Sequence, residues 1–293
     1  RDVLITQYQG NHSFGYNTKQ DLKDRFGELL PASLIDFIPE GLEYNWFFSD
    51  SKAETSIPSE VNISLQGATD ENFQIPTPQV VQSSEAANFR FTELDDDVLN
   101  HGWEVKAPFY TKRLTLEVSG GYNHRRQDRV YVQSQFNLGP LDVASLSTLR
   151  GPIGEVFSTA NVNSSANNFV FNRVGSNNQS YIAATMTDAY FGQFDLTLDD
   201  TWRIAGGLRW EKYRQVGLDY DPYVFSATTP VVTTDPERLA SNVFQDDDLY
   251  PSLSLTYMRP FWADTFQLRG TYSETVVRPD LREITDASYI DPL

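Results

Sequence analysis

Two runs of three aspartates, Asp95-Asp96-Asp97 and Asp246-Asp247-Asp248, offer hard oxygen donors of the kind that bind divalent cations. Neither has the Asp-x-Asp-x-Asp-Gly spacing of a calcium loop, so a solvated acidic loop fits both better. Within Asp219-Tyr220-Asp221-Pro222-Tyr223, the residues Asp219, Tyr220 and Tyr223 could contact a ligand, with the rings stacking on a sugar or a catechol. Ordinary loop chemistry accounts for the same residues. His12, His101 and His124 are scattered, without metal-ligand spacing. No Gly-x-Ser-x-Gly elbow and no phosphate-cradling Gly-x-x-x-x-Gly-Lys occurs. The absence of cysteine removes thiolate metal sites, cysteine nucleophiles and disulfides. A pair of carboxylates for glycoside hydrolysis cannot be picked from 40 acidic residues without a fold. Arg278-Pro279 reads as a structural stop, because proline cannot donate to a strand ladder. No catalytic, metal or cofactor residues are assigned, and the chain is read as a non-enzyme.

Residues with so little catalytic signature must be placed by the elements that carry them. Aromatics make up 13 % of the 293 residues, with 15 Tyr and 19 Phe against 2 Met. That mixture suits many strands joined by polar turns rather than a helical bundle. Lys+Arg of 23 against Asp+Glu of 40 gives a net charge of −17. Duplex binding depends on cationic contacts to phosphates, so nucleic acid is not expected as a partner. No stretch is apolar enough for a membrane helix, and the first residues do not form a signal peptide. Strands that span a membrane keep one polar face, so a mean hydropathy of −0.44 does not exclude a membrane.

Strict alternation is the clearest pattern. Trp202, Ile204, Gly206, Leu208 and Trp210 share one face, and Arg203, Ala205, Gly207, Arg209, Glu211 and Tyr213 share the other. In an extended chain successive side chains point to opposite faces, whereas a helix would scatter the same residues around its circumference. The pattern returns at Tyr190–Asp199, Leu253–Tyr257, Phe266–Ser273, Leu114–Asn123 and Leu42–Ser49. None of these apolar sets contains a charge.

Short connections are expected at Asp199–Thr201, Arg259–Asp264 and roughly Pro108–Lys112, and long ones over residues 54–85, 137–186 and 216–248. Short and long alternate along the chain, as in an up-and-down barrel with turns at one end and long loops at the other. Three such loops on one side would be unusual in a compact soluble domain. Val3–Phe14 reads as a further strand. Residues 16–40, with Leu22, Phe26, Leu29 and Leu30 at helical spacing, read as an enlarged turn with a short helix.

Alternation also suits a soluble sandwich, but three details favour a barrel. Trp202 and Trp210 close the two ends of one apolar face, about 20 Å apart along the membrane normal in a tilted strand, close to the ~25 Å band between aromatic girdles. Gly120, Gly192, Gly206 and Gly270 lie mid-strand on apolar faces, where they would weaken a sandwich core but suit a curved wall. The opposite faces carry Arg203, Arg209, Glu211, Arg269, Glu117 and Asp195, as expected of a wet lumen.

The run Asp248-Leu249-Tyr250-Pro251-Ser252-Leu253-Ser254-Leu255-Thr256-Tyr257, followed by Phe266–Pro279, resembles TonB-dependent receptors. There a "LPSLNL-Y" strand precedes a "LR-AYS-T-ARP" strand. Arg203–Glu211 looks like the family's preceding "GG-R-E" strand. Phe89–Asp97, followed by Glu117–Arg129, resembles a strand pair of one branch of the family. Together these cover roughly residues 86–279.

The resemblance implies a barrel of about 22 strands plugged by an amino-terminal domain. The expected fold class is therefore all-β: an antiparallel up-and-down transmembrane β-barrel with long extracellular loops, of which this chain supplies about eight strands. The whole of residues 1–293 is read as part of one such domain, with the plug and the closing strands not seen in it. The resemblance further implies the bacterial outer membrane and its lipid as surroundings, the TonB system as partner through the plug, and uptake of an iron–siderophore, cobalamin or carbohydrate. Two rival functions remain open at this stage, a small surface barrel acting as an adhesin and a secreted β-rich hydrolase.

Overall fold

A computed structural model describes residues 1–26, 35–36, 39–68, 70–72, 78–174, 180–220, 242–260 and 266–285. The strands are β1 (Asp2–Phe14), β2 (Leu42–Ile63), β3 (Leu65–Gln66), β4 (Gln79–Val80), β5 (Ala87–Tyr110), β6 (Leu114–Pro140), β7 (Phe169–Arg173), β8 (Ser180–Leu198), β9 (Trp202–Tyr220), β10 (Phe244–Arg259) and β11 (Phe266–Ser273). A single nine-stranded antiparallel sheet runs β1-β2-β5-β6-β8-β9-β10-β11, with β7 added to β6, while β3 and β4 pair separately. Neighbours in sequence are neighbours in space, the up-and-down order that alternating connections predicted. Among the described residues β1 pairs only with β2, and β11 only with β10.

The cross-strand register turns isolated alternating runs into a continuous surface. Trp202 pairs with Leu198 and Tyr257, and Leu198 with Leu114. At the other limit Trp210 pairs with Tyr190 and Leu249, Tyr190 with Tyr122, Tyr122 with Trp103, and Trp103 with Trp46. Between these rows the face carries Ile204, Leu196, Leu116, Phe109 and Leu255, then Gly206, Phe194, Val118, Ala107 and Leu253. Trp202 and Tyr257 rings lie 4.7 Å apart at one border. Tyr122, Tyr190 and Trp210 form a ladder with centroids 4.8 and 5.8 Å apart at the other. The next row outward is Lys212, Asp188, His124 and His101, with Asp247 beside Lys212. An uncharged band flanked by aromatic rows, with charges beginning one row later, is the surface a bilayer requires.

Of the short turns, Asp199–Thr201 is as expected, the one expected at roughly Pro108–Lys112 falls at residues 111–113 because β5 runs on to Tyr110, and residues 261–264 of Arg259–Asp264 lie outside the described residues. Asp199 and Asp200 take left-handed backbone, with φ of 49° and 53°, and Thr201 N–H donates to the Leu198 carbonyl at 3.0 Å. Two residues at positive φ give a hairpin turn whose twist matches the strands it joins. The enlarged turn holds α1 (Tyr16–Phe26), with Lys23 paired to Asp36 at 2.6 Å. Leu29 and Leu30 lie outside the described residues.

The long connections are shorter than expected, which corrects the boundaries 54–85, 137–186 and 216–248. Strand β2 continues to Ile63, β6 to Pro140 and β9 to Tyr220, while β8 starts at Ser180 and β10 at Phe244. Above the apolar band both faces meet water, so the side chains no longer alternate although the backbone ladder continues. Pro58, which lacks a donor, falls where the β2–β5 register shifts between Ile57 and Glu60. Arg90 clamps Glu60 across this irregularity at 2.5 and 3.0 Å. That hydrogen-bonded guanidinium holds the Glu60 carboxyl below its usual pKa.

Two of the connections are joined by a small core of their own. Val80 and Ala86 from the β2–β5 connection pack with Leu149 and Val156 from the β6–β8 connection, supported by Ile63, Val143, Phe157 and Phe169. Leu149 lies in a 3-10 turn (Leu146–Leu149) begun by Ser145, whose hydroxyl accepts from the Ser147 N–H. Two short helices follow, α2 (Ile153–Val156) and α3 (Thr159–Val162). These connections therefore form a cap over the long-loop end of the sheet.

Candidate functional site

Opposite the lipid-facing band lies a polar face that runs the full height of the strands. At the level of the Trp210 row it holds a hollow of about 840 Å³, lined in part by Gln9, Asn11, Asn45, Phe47, Glu104, Asn123, Phe191 and Arg209. Beside the hollow the wall is thin at Gly121, where a Cβ would meet the Trp103 carbonyl oxygen at 2.3 Å and the Phe191 ring at 2.8 Å. Phe191 can lie across the wall only because Gly121 has no side chain. Amides dominate the rest, with Asn11 bonded to Asn45 and Asn123 donating to Asn100 at 3.2 Å.

Several cations on this face are held by carboxylates, while Arg269 Nε donates to the Thr256 hydroxyl at 3.3 Å. Arg203 Nε donates to Asp195 at 2.9 Å and Arg209 Nε to Glu211 at 3.1 Å. Higher on the wall, Arg129 pairs with Asp96 at 2.7 Å, and Gln127 donates to the same carboxylate at 2.9 Å. Beside them the rings of Tyr131 and Tyr181 stack at 5.3 Å. The wall is a surface of amides, hydroxyls, aromatic rings and largely paired charges.

The acidic runs are not loops, which corrects the expectation of solvated acidic loops. Asp95–Asp97 sit inside β5 and Asp246–Asp248 inside β10. Alternation sends Asp96, paired with Arg129, to the polar face, while Asp95 and Asp97 face the other way. Asp246 and Asp248 likewise oppose Asp247. Three adjacent aspartates in a strand cannot converge on one ion, and no group of three or more potential metal ligands occurs among the described residues.

Asp219 lies near the end of β9 opposite Tyr181, and Tyr220 ends the strand opposite Ser180. Tyr223 lies outside the described residues. Sequence reasoning also missed a pairing of histidines. His101 and His124 are register partners with rings 4.8 Å apart, and His124 Nδ1 lies 2.7 Å from Asp188, which also accepts from Tyr122 at 2.7 Å. Residues 23 positions apart carry no local sign of this contact; only the β5–β6 register creates it.

Arg278 departs furthest from its reading as a strand stop. Strand β11 ends at Ser273, five residues before Arg278, and the chain then turns onto the polar face. There Arg278 reaches Asp246 at 2.5 Å, Glu211 at 3.8 Å and the Tyr250 hydroxyl at 3.0 Å, with its guanidinium 4.4 Å from the centre of the Tyr213 ring.

Comparison with known proteins agrees with this geometry. The family model described as TonB dependent receptor-like, beta-barrel, matches residues 6–292. No curated protein matches the chain.

Proposed function

From the premise that this chain belongs to the TonB-dependent receptor-like β-barrel family, a bacterial outer-membrane family of transporters and not of enzymes, we propose that it forms part of the wall through which one scarce nutrient is taken up. The cargo is an iron–siderophore, cobalamin or a carbohydrate. The energy comes from the TonB system acting through a plug domain seated in the lumen. The observation that carries this reading is the two-sided wall: an uncharged outer band between aromatic rows, and behind it a polar face in which Arg203, Arg209 and Arg129 are paired with carboxylates. In lipid every backbone donor and acceptor must be satisfied, so the outer edges of β1 and β11 pair with further strands of a barrel of about 22 strands. Asp219, Tyr220 and Tyr223 are proposed as ligand contacts. The test is uptake: removing the protein and inactivating TonB should abolish uptake of the same labelled nutrient. Uptake that survives the loss of TonB would reject energy-coupled transport.

The same reading fixes which end faces outward. The chain has no cysteine, so in the parent protein, with any cysteines outside this segment replaced, a single introduced thiol reports its own side of the membrane. A cysteine at exposed Asp142, in the cap, should react with a membrane-impermeant maleimide on intact cells. One at Lys112, in the turn after β5, should react only after the outer membrane is opened. The reverse pattern would invert the topology.

A further inference from the structure

We infer that residues 274–285 form a strap docked on the polar face of β8 and β9, and that Arg278 is the residue that positions it. The inference rests on the transporter reading only for the side of the membrane the strap faces.

The sequence Arg278-Pro279-Asp280-Leu281-Arg282-Glu283 builds such a strap from local rules. Asp280 accepts from the Arg282 N–H at 3.0 Å, and Glu283 reaches back to the Asp280 N–H at 3.2 Å. Together the Asx-type bond at Arg282 and the capping-box-like return of Glu283 to the Asp280 N–H shape the turn at Leu281–Ile284 without help from the wall. Proline at 279 limits the backbone entering the turn. A preshaped turn loses little conformational entropy on docking, so a few contacts suffice to hold it.

The contacts lie along one stripe of the wall. Arg278 spans Asp246 and Tyr250 on β10 and Glu211 and Tyr213 on β9. The Pro279 carbonyl accepts from Gln215 Nε2 at 3.4 Å, and Asp280 pairs with Arg129 of β6 at 3.2 Å. Leu281 is 2 % exposed and packs with Tyr181 and Ala183, with Ile284 beside it. Gly217 leaves room for that approach, since a Cβ there would lie 3.1 Å from the Ile284 carbonyl oxygen. The docked strap takes Tyr181, Tyr213 and Gln215 out of reach of any solute in the lumen, so it shapes this part of the polar face.

Arg278 is the positioning residue because it joins two strands to the strap through a partly buried charge, whereas Asp280 is more than half exposed. Exposed pairs contribute little, and partly buried charge-assisted bonds contribute more. In the parent protein with any cysteines outside this segment replaced, assembled in its native outer membrane, thiols introduced as Leu281→Cys and Val277→Cys are compared for their rate of reaction with an impermeant maleimide. Val277 is 92 % exposed and gives the unprotected rate. Leu281→Cys should react at least about tenfold more slowly, and adding Arg278→Ala should bring it to within about threefold of the reference. Adding Asp246→Asn instead should give a smaller rise, and it serves as the test should the alanine variant fail to assemble. Equal rates at 277 and 281 in the parent would overturn the docked strap. Protection at 281 that neither variant relieves would overturn the role of Arg278. If Val277→Cys reacts only after the outer membrane is opened, the assigned side is wrong, while the strap is still judged by the ratio of the two rates.

Discussion

Arginine at Leu208 is expected to cut the yield of assembled protein by about 30-fold or more, while arginine at Thr271 leaves it within about twofold. Both residues lie in the membrane-crossing part of the sheet, and they differ in the face they occupy. Leu208 is 53 % exposed on the apolar band, between Gly192 of β8 and Pro251 of β10. Thr271 lies on the polar face, opposite Ser254 and within 3.3 Å of its hydroxyl. A cationic side chain facing lipid near mid-membrane costs about 2–4 kcal/mol, and each 1.4 kcal/mol is about tenfold in an equilibrium. In the lumen the same side chain remains hydrated, with Glu117 and Asp195 on the neighbouring wall. The measurement is the fraction migrating as a heat-modifiable folded band in outer-membrane preparations. Equal yields for the two variants would reject the lipid-facing assignment, and with it the barrel.

The second large effect concerns the cap. Leu149→Asp should open it, because Leu149 is 0 % exposed and packs in an apolar cluster with Val80, Ala86 and Val156. An unpaired buried charge costs about 4 kcal/mol or more. Protease nicking between residues 141 and 168 on intact cells should therefore accelerate by about two orders of magnitude or more, since cleavage follows the open population. Leu146→Asp, three residues earlier and 51 % exposed, should change nicking by about twofold or less. The sheet should assemble in both variants, because the cap core lies outside the apolar band. Unchanged nicking in Leu149→Asp would mean that the two connections do not share a core.

Along the chain, the membrane-level part of the fold is legible residue by residue. Trp202 to Trp210 alternates because lipid on one side and water on the other impose a period of two, and the partners of that strand follow the same rule independently. Helix α1 and the Asp199–Thr201 turn are similarly local, set by a few adjacent residues. What the local pattern conceals begins where both faces of the strands meet water. There Asp95–Asp97 and Asp246–Asp248 read as loop residues, although ladder bonds to β6 and β9 hold them extended. The pairing of His101 with His124 depends on the register between β5 and β6, and the core of Val80 with Leu149 on two connections far apart in sequence. Arg278 looked like a strand terminus because proline follows it. Its partners Glu211 and Asp246 lie on strands that only the completed sheet brings side by side. Alternation is a one-dimensional imprint of the solvent on each face, so the faces can be read along a single strand. Register and docking are distances between remote residues, and they come into being only when the strands pair.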